Sequence, residues 1–228
     1  MPKIVGISHR ATAYLQQLPP AVCVYCHGIA SSRDHIVART ILARPLPQSL
    51  PTVPSCADCN NRFSIDEQYF SAVLGMVGRT PEIEARVKEG ADIYRTLERS
   101  PRLDNRLISS VFCIPELGAP PILQVEEKRI VPILQKIAFG LFLAKFRPTS
   151  IPSLALFKPV PIRNVASIAK LNTTEHFRQR RWVKLQQDVF EFVFFVSSLA
   201  PYMNRRFCLM RFYGPTWIAA VQCPDLAH

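Results

Sequence analysis

The chain has 228 residues, 48% of them apolar and 20% charged, which fits a packed protein of one large unit, or a small and a larger one, and excludes a disordered tail. Its net charge of +11 arises entirely behind residue 127: 13 basic and 13 acidic side chains lie in 1–127, against 15 and 4 in 128–228. The two most apolar runs are 130–146, broken by Gln135, Lys136 and Lys145, and 189–200, which is too short for a bilayer, so no membrane partner is expected.

In chain order, residues 1–20 form a lead-in, with one helix predicted over 11–18 and stopped by Pro19 and Pro20. The first ten residues lack the apolar core and cleavage site of a secretory signal, so a cytoplasmic protein is expected. Residues 21–78 are predicted as a small module. It holds Cys23-Val24-Tyr25-Cys26, a strand starting at His35, a proline-rich connection (Pro45, Pro47, Pro51, Pro54) and Cys56-Ala57-Asp58-Cys59. A helix is predicted from near Asn60 or Ser64 to about Val77, Ser64 and Glu67 having the capping-box spacing. Residues 79–127 are predicted as a helical connection, with a helix over 81–99 and a strand over 122–125. Residues 128–228 form a basic body. It has a helix over 128–145, a proline-rich connecting or edge segment over 147–163 and a short helix over 165–169. Strands follow over 183–185, 188–196, 206–213 and 216–222, the last two as an antiparallel hairpin. The fold class is α+β.

Each Cys-x-x-Cys pair makes a tight turn that aims two thiolates at one point, and two such turns give the closed S4 shell of a structural zinc. The alternatives are disulfides, which a cytoplasmic chain does not normally keep, and buried free thiols; the paired spacing favours Cys23, Cys26, Cys56 and Cys59 as zinc ligands. The module is too small to bury much core, so the metal is expected to supply most of its folding energy. Cys113, Cys208 and Cys223 stand alone in apolar stretches and are expected to be buried small hydrophobes. Asp34, His35 and Asn60 lie between or directly after the cysteine pairs. They are the residue types that hold a divalent ion and activate water.

The combination of Cys-x-x-Cys, Asp34-His35-Ile36-Val37, a proline-rich stretch and Val53-Pro54-Ser55-Cys56-Ala57-Asp58-Cys59-Asn60 resembles the HNH endonucleases, over about residues 21–70. The resemblance implies a zinc-stabilised ββα-metal module, followed here by helices and an antiparallel-sheet body. It implies His35 as general base, with Asp34 and Asn60 holding a catalytic Mg2+ or Mn2+. Ser49 stands where the family has a middle Asn that orients the histidine. The Lys that often follows the closing Asn is absent, and Arg62 is nearest to its place.

The implied reaction is hydrolysis of DNA phosphodiesters to 5′-phosphate and 3′-hydroxyl ends, RNA being a further candidate substrate. Arg33 and Arg62 are candidates to grip neighbouring phosphates. Asp66 and Glu67 are expected on a solvated helix face. Arg178, Arg180, Arg181, Trp182 and Lys184 form the tightest basic cluster, with Trp182 as a stacking platform for a base. A homodimer would suit cutting of both strands. Two other functions compete with catalysis: a non-catalytic zinc-stabilised nucleic-acid binder, which Ser49 favours, and a nuclease gated by a regulatory protein or signal on the C-terminal body.

Overall fold

The computed structural model describes residues 22–77, 99–112, 122–160, 182–186, 189–197, 202–213 and 217–225. Strands β1 (Ser32–His35) and β2 (Thr52–Ser55) form an antiparallel hairpin in which His35 faces Thr52 and Asp34 faces Val53. Helix α1 (Ala57–Val77) follows directly. Helix α2 (Pro101–Ile108) and the small hairpin β3 (Val111–Phe112) and β4 (Ile122–Leu123) lead into helix α3 (Glu127–Phe146). The body is a five-stranded antiparallel sheet of β5 (Lys158–Pro159), β6 (Val183–Gln186), β7 (Phe190–Val196), β8 (Arg206–Phe212) and β9 (Trp217–Cys223), in the order β5-β9-β8-β7-β6. The α+β class expected from the sequence is thus formed, with the β8–β9 hairpin in place. The helices expected over 11–18, 81–99 and 165–169 fall on, or largely on, residues outside the described ones.

Helix α1 starts about two turns earlier than the capping-box spacing suggests, because the second cysteine turn supplies the cap. The Cys56 thiol accepts from the Cys59 amide at 3.4 Å, and the Ser31 hydroxyl accepts from the Ala57 amide at 3.2 Å. Ser64, now inside the helix, donates back to the Asn61 carbonyl, and Glu67 is turned to a partner on α3.

Helix α3 is central, buried over most of its length between α1 and one face of the sheet. Phe139 and Phe142 meet Phe157 edge to face at 5.3 and 5.4 Å, and Phe146 meets Phe194 at 5.0 Å. The core is continuous, running from Val24, Ile36 and Val53 through Phe63 and Phe70 to Phe190, Phe212 and Cys223. The cysteine module therefore does not stand alone on its metal as expected. Its apolar residues are buried against the body, and this burial adds to whatever a metal contributes. The reverse face of the sheet is also buried, around Val193, Phe195, Phe207 and Leu209. This explains why β7 reads as a near-continuous apolar run rather than an alternating one.

Two features bring β1 and α3 together. A Cβ on Gly140 would lie 2.8 Å from the Ile36 side chain, so only glycine permits this approach of helix to strand. Polar ties lock the connection after β1 to the sheet. Tyr213 donates to the Ile41 carbonyl at 2.9 Å, and Gln186 bonds both the amide and the carbonyl of Ala43. Lys136, one helical turn before Gly140, shares the face that meets β1.

Candidate functional site

The four cysteines converge. Cys23 and Cys26 lie on a turn in which the Cys23 amide donates to Gly28 and the His27 amide to Cys23. His27 takes a left-handed φ of 61° that closes the turn, rather than offering itself as a ligand. The Val24 amide donates to Pro54 and that of Ser31 to Ser55, so β2 brings the second pair against the first. The four sulfurs lie within 4.8 Å of one another, and Cys26 and Cys56 are 3.8 Å apart. Tetrahedral Zn–S bonds of about 2.3 Å would put sulfurs about 3.8 Å apart, the distance seen for Cys26 and Cys56, so the set is gathered closely enough to hold such an ion. Burial pushes the Cys23 thiol up, but backbone N–H groups of Cys56, Cys26 and Tyr25 outweigh it and bring it to about 6. Cys59 is pushed well up by burial and by the thiols that surround it. Binding a metal would deprotonate the thiols that still carry protons.

Asp34 and His35 follow each other on β1. Asp34 points inward and is 4% exposed. The Tyr25 hydroxyl donates to its Oδ2 at 2.8 Å, and the Lys136 ammonium donates to its Oδ1 at 2.8 Å. Lys136, 1% exposed, also contacts the Glu67 carboxylate and lies 5.4 Å from the Phe63 ring centroid. Burial and the Asp34 charge raise Tyr25 well above its ordinary value, so its phenol remains a donor. Burial also raises Glu67, against the pull of Lys136.

This arrangement corrects two expectations. Glu67 is not on a solvated face; it faces Lys136 with a side chain 15% exposed, while Asp66 pairs with Arg129 at 2.7 Å. Asp34 as it stands does not fit a hydrated divalent ion. A Mg2+ or Mn2+ keeps several waters and demands free oxygen ligands, whereas both Asp34 oxygens already hold donors in a nearly closed space. No step of a reaction is therefore assigned to an ion on Asp34.

His35 is half-buried at the end of β1. Burial lowers its pKa below the ordinary histidine value, and the charges of Arg39 and Lys136 add to this against the opposing pull of Asp34. The imidazole is neutral at pH 7 and able to accept a proton. Its Nδ1 is buried without a hydrogen-bond partner among the described residues. Ser49 is exposed and does not supply that partner, so the expected orienting bond is not made. Asn60 is half-buried on α1, seven residues before Glu67 and so on the same helix face. Among the described residues no hydrogen bond joins it to Asp34 or His35.

Of the basic residues, Arg33 is exposed and fixed across the hairpin, its Nε donating to the Thr52 hydroxyl at 2.8 Å. Arg62 is exposed, 4.9 Å over the Phe63 ring. Arg178, Arg180 and Arg181 lie outside the described residues. Trp182 is not a free platform on both faces, since the Arg211 guanidinium lies 3.8 Å over its ring. Lys184 is half-exposed and pairs with Glu191 at 3.5 Å. Several other cations of the body also face inward. Lys136 is buried, Arg129 holds Asp66, and Arg206 lies 4.8 Å over Phe146. The charge excess is therefore only partly a free surface.

The sequence reading missed Tyr25, Lys136 and Arg39. Tyr25 lies inside the first Cys-x-x-Cys and Lys136 breaks an otherwise apolar helix face, which was the one available signal. No protein-family model matches the chain, and neither a curated protein nor a solved structure matches it. Among the described residues no helix is long and apolar enough to cross a membrane.

Proposed function

We propose that this chain is a nucleic-acid phosphodiester hydrolase of HNH type, with zinc on Cys23, Cys26, Cys56 and Cys59 and His35 as the general base. The supporting observation is the position of His35. It ends the first strand of a hairpin that the four cysteines tie to the following helix, and its surroundings keep it neutral. Zinc, when bound, fixes the two turns and so the start of α1. His35 takes a proton from the attacking water as its oxygen bonds to phosphorus and the bond from phosphorus to the 3′-oxygen breaks, the departing 3′-oxygen taking its proton from solvent. Arg33, held by Thr52, meets a phosphate beside the one attacked, with Arg39 and Arg62 as further cations. The Asn60 amide faces substrate as a hydrogen-bond donor, and exposed cations of the body such as Lys184 add to the grip on DNA.

A second reading is favoured by one specific observation: the Asp34 carboxylate is spent on Lys136. On that reading the chain binds nucleic acid and does not cut it. Zinc-loaded protein and its His35→Ala variant, given supercoiled plasmid, single-stranded DNA and RNA with Mg2+ or Mn2+, separate the two. The hydrolase reading expects the variant to retain zinc and DNA binding and to lose cutting by about 100-fold or more. Equal cutting by both proteins rules out His35 as the base. Binding without cutting by either leaves the second reading, and neither binding nor cutting removes both.

A further inference from the structure

Two carboxylates from separate elements, Asp34 on β1 and Glu67 on α1, converge on one buried cation, and that cation is part of the chain. The ammonium of Lys136 has three donors, and three neighbours meet it: Asp34, Glu67 and the face of Phe63. Gly140 allows the backbone of α3 to come close enough to β1 for this reach. Tyr25 then donates to the other Asp34 oxygen. Two acidic groups from different elements thus surround one positive charge that belongs to the chain.

We infer that Lys136 is a tethered cation occupying the space between Asp34 and Glu67, so that the folded chain excludes Mg2+ and Mn2+ from these two carboxylates. Removing the ammonium opens that position to a divalent ion. The physical reason is that a second cation beside Lys136 would meet a like charge in a largely buried space, where repulsion is less screened than in water. Without the lysine, the same space holds two carboxylates with no cationic partner; a proton on Glu67 relieves them in part, and a divalent cation replaces the lost charge. The lysine comes from the central helix of the body, so the body sets the state of the site.

The inference concerns the site of the proposed hydrolysis, but it is read by metal binding and not by cutting. Zinc-loaded full-length protein would be titrated with Mn2+, following free Mn2+ by its paramagnetic resonance and the thermal midpoint in parallel. The parent is expected to bind no Mn2+ that Asp34→Asn abolishes. Lys136→Met and the polar Lys136→Gln are expected to bind one Mn2+ at least about tenfold more tightly than the parent. They should lose it on adding Glu67→Gln, and their midpoints should rise with Mn2+ while that of the parent does not.

A parent site for Mn2+ that Asp34→Asn removes would overturn the inference. So would a folded Lys136→Gln that binds no better than the parent. Failure of both variants to fold even with Mn2+ present would also overturn it, because an ion able to replace the ammonium restores the partner of the carboxylates. If the binding results hold and nothing cuts, the hydrolase reading fails and this inference stands.

Discussion

The four cysteines and the Asp34 cluster lie in the same strand–strand–helix unit, yet one is arranged to take a cation from outside and the other holds a cation of the chain. The cysteine set is partly open, with Cys26 exposed and Cys56 half-buried, and its sulfurs are spaced for a metal. The Asp34 set is closed, with Lys136 and Asp34 both nearly inaccessible. The difference follows from what each rests on. Cys26 and Cys56 lie on turns at the edge of the molecule, whereas Asp34 and Glu67 face the central helix. A metal site can be filled and emptied; an ion pair buried against a core helix is fixed when the chain folds. Sequence spacing alone makes the two look alike, as ligand sets for two metals.

Metal removal should break the comparison most visibly. A strong chelator is expected to strip the cysteine set and leave the Asp34 cluster intact. Zinc-finger peptides gain on the order of 10–16 kcal/mol from their metal. Here the continuous core from Val24 to Cys223 confines the damage. Hydrogen exchange should show amides of the two cysteine turns, such as Cys23, His27 and Cys59, losing protection, while β7, β8 and β9 keep theirs. Loss of protection throughout the sheet would mean that the whole fold depends on the metal. No change anywhere would mean that the cysteines hold none.

The second effect is smaller and belongs to Lys136. Breaking a buried ion pair by removing one partner leaves an uncompensated charge and costs about 3–5 kcal/mol. Lys136→Met, measured by denaturant unfolding without added divalent ion, should lose an amount of that order. Asp34→Asn in the same background should restore part of it, since the stranded charge is then gone. Additive losses in the double variant would show that the two residues do not interact, and would remove the physical basis of the closed site.

How much of this was legible in the sequence depends on range. The cysteine spacing, the α3 helix and the β7–β9 strands are short-range patterns, and they were read to within a few residues. The start of α1 was not, because its cap is the Cys56 sulfur and the Ser31 hydroxyl rather than a Ser–Glu box. The partners of Asp34 were not legible for a similar reason. Its fate is set by Lys136, 102 positions away, and a lone Lys in an apolar helix does not announce its partner. The basic half was overread as surface, since nothing in a count of charges shows that Lys136 and Arg206 turn inward against acids and rings.

The smallest expected effect is on His35, and its sign can be stated. Burial, with the charges of Arg39 and Lys136, holds its pKa in the folded chain below the ordinary value of 6.5. Between those two values the unfolded chain takes up a proton that the folded chain refuses, so stability is full above pH 6.5 and declines as pH falls through that window. Glu67, raised from 4.5, acts in the opposite sense: it favours the folded chain at low pH and loses that effect as pH rises. Comparing the parent with His35→Gln removes the Glu67 contribution, which both share. The parent should lose stability relative to His35→Gln only below pH 6.5. If His35 is the base, the acid limb of kcat/KM should fall in that same region, below the pKa of a free histidine. A limb above 6.5 would mean that a counter-charge, and not the burial and cations seen here, governs the imidazole.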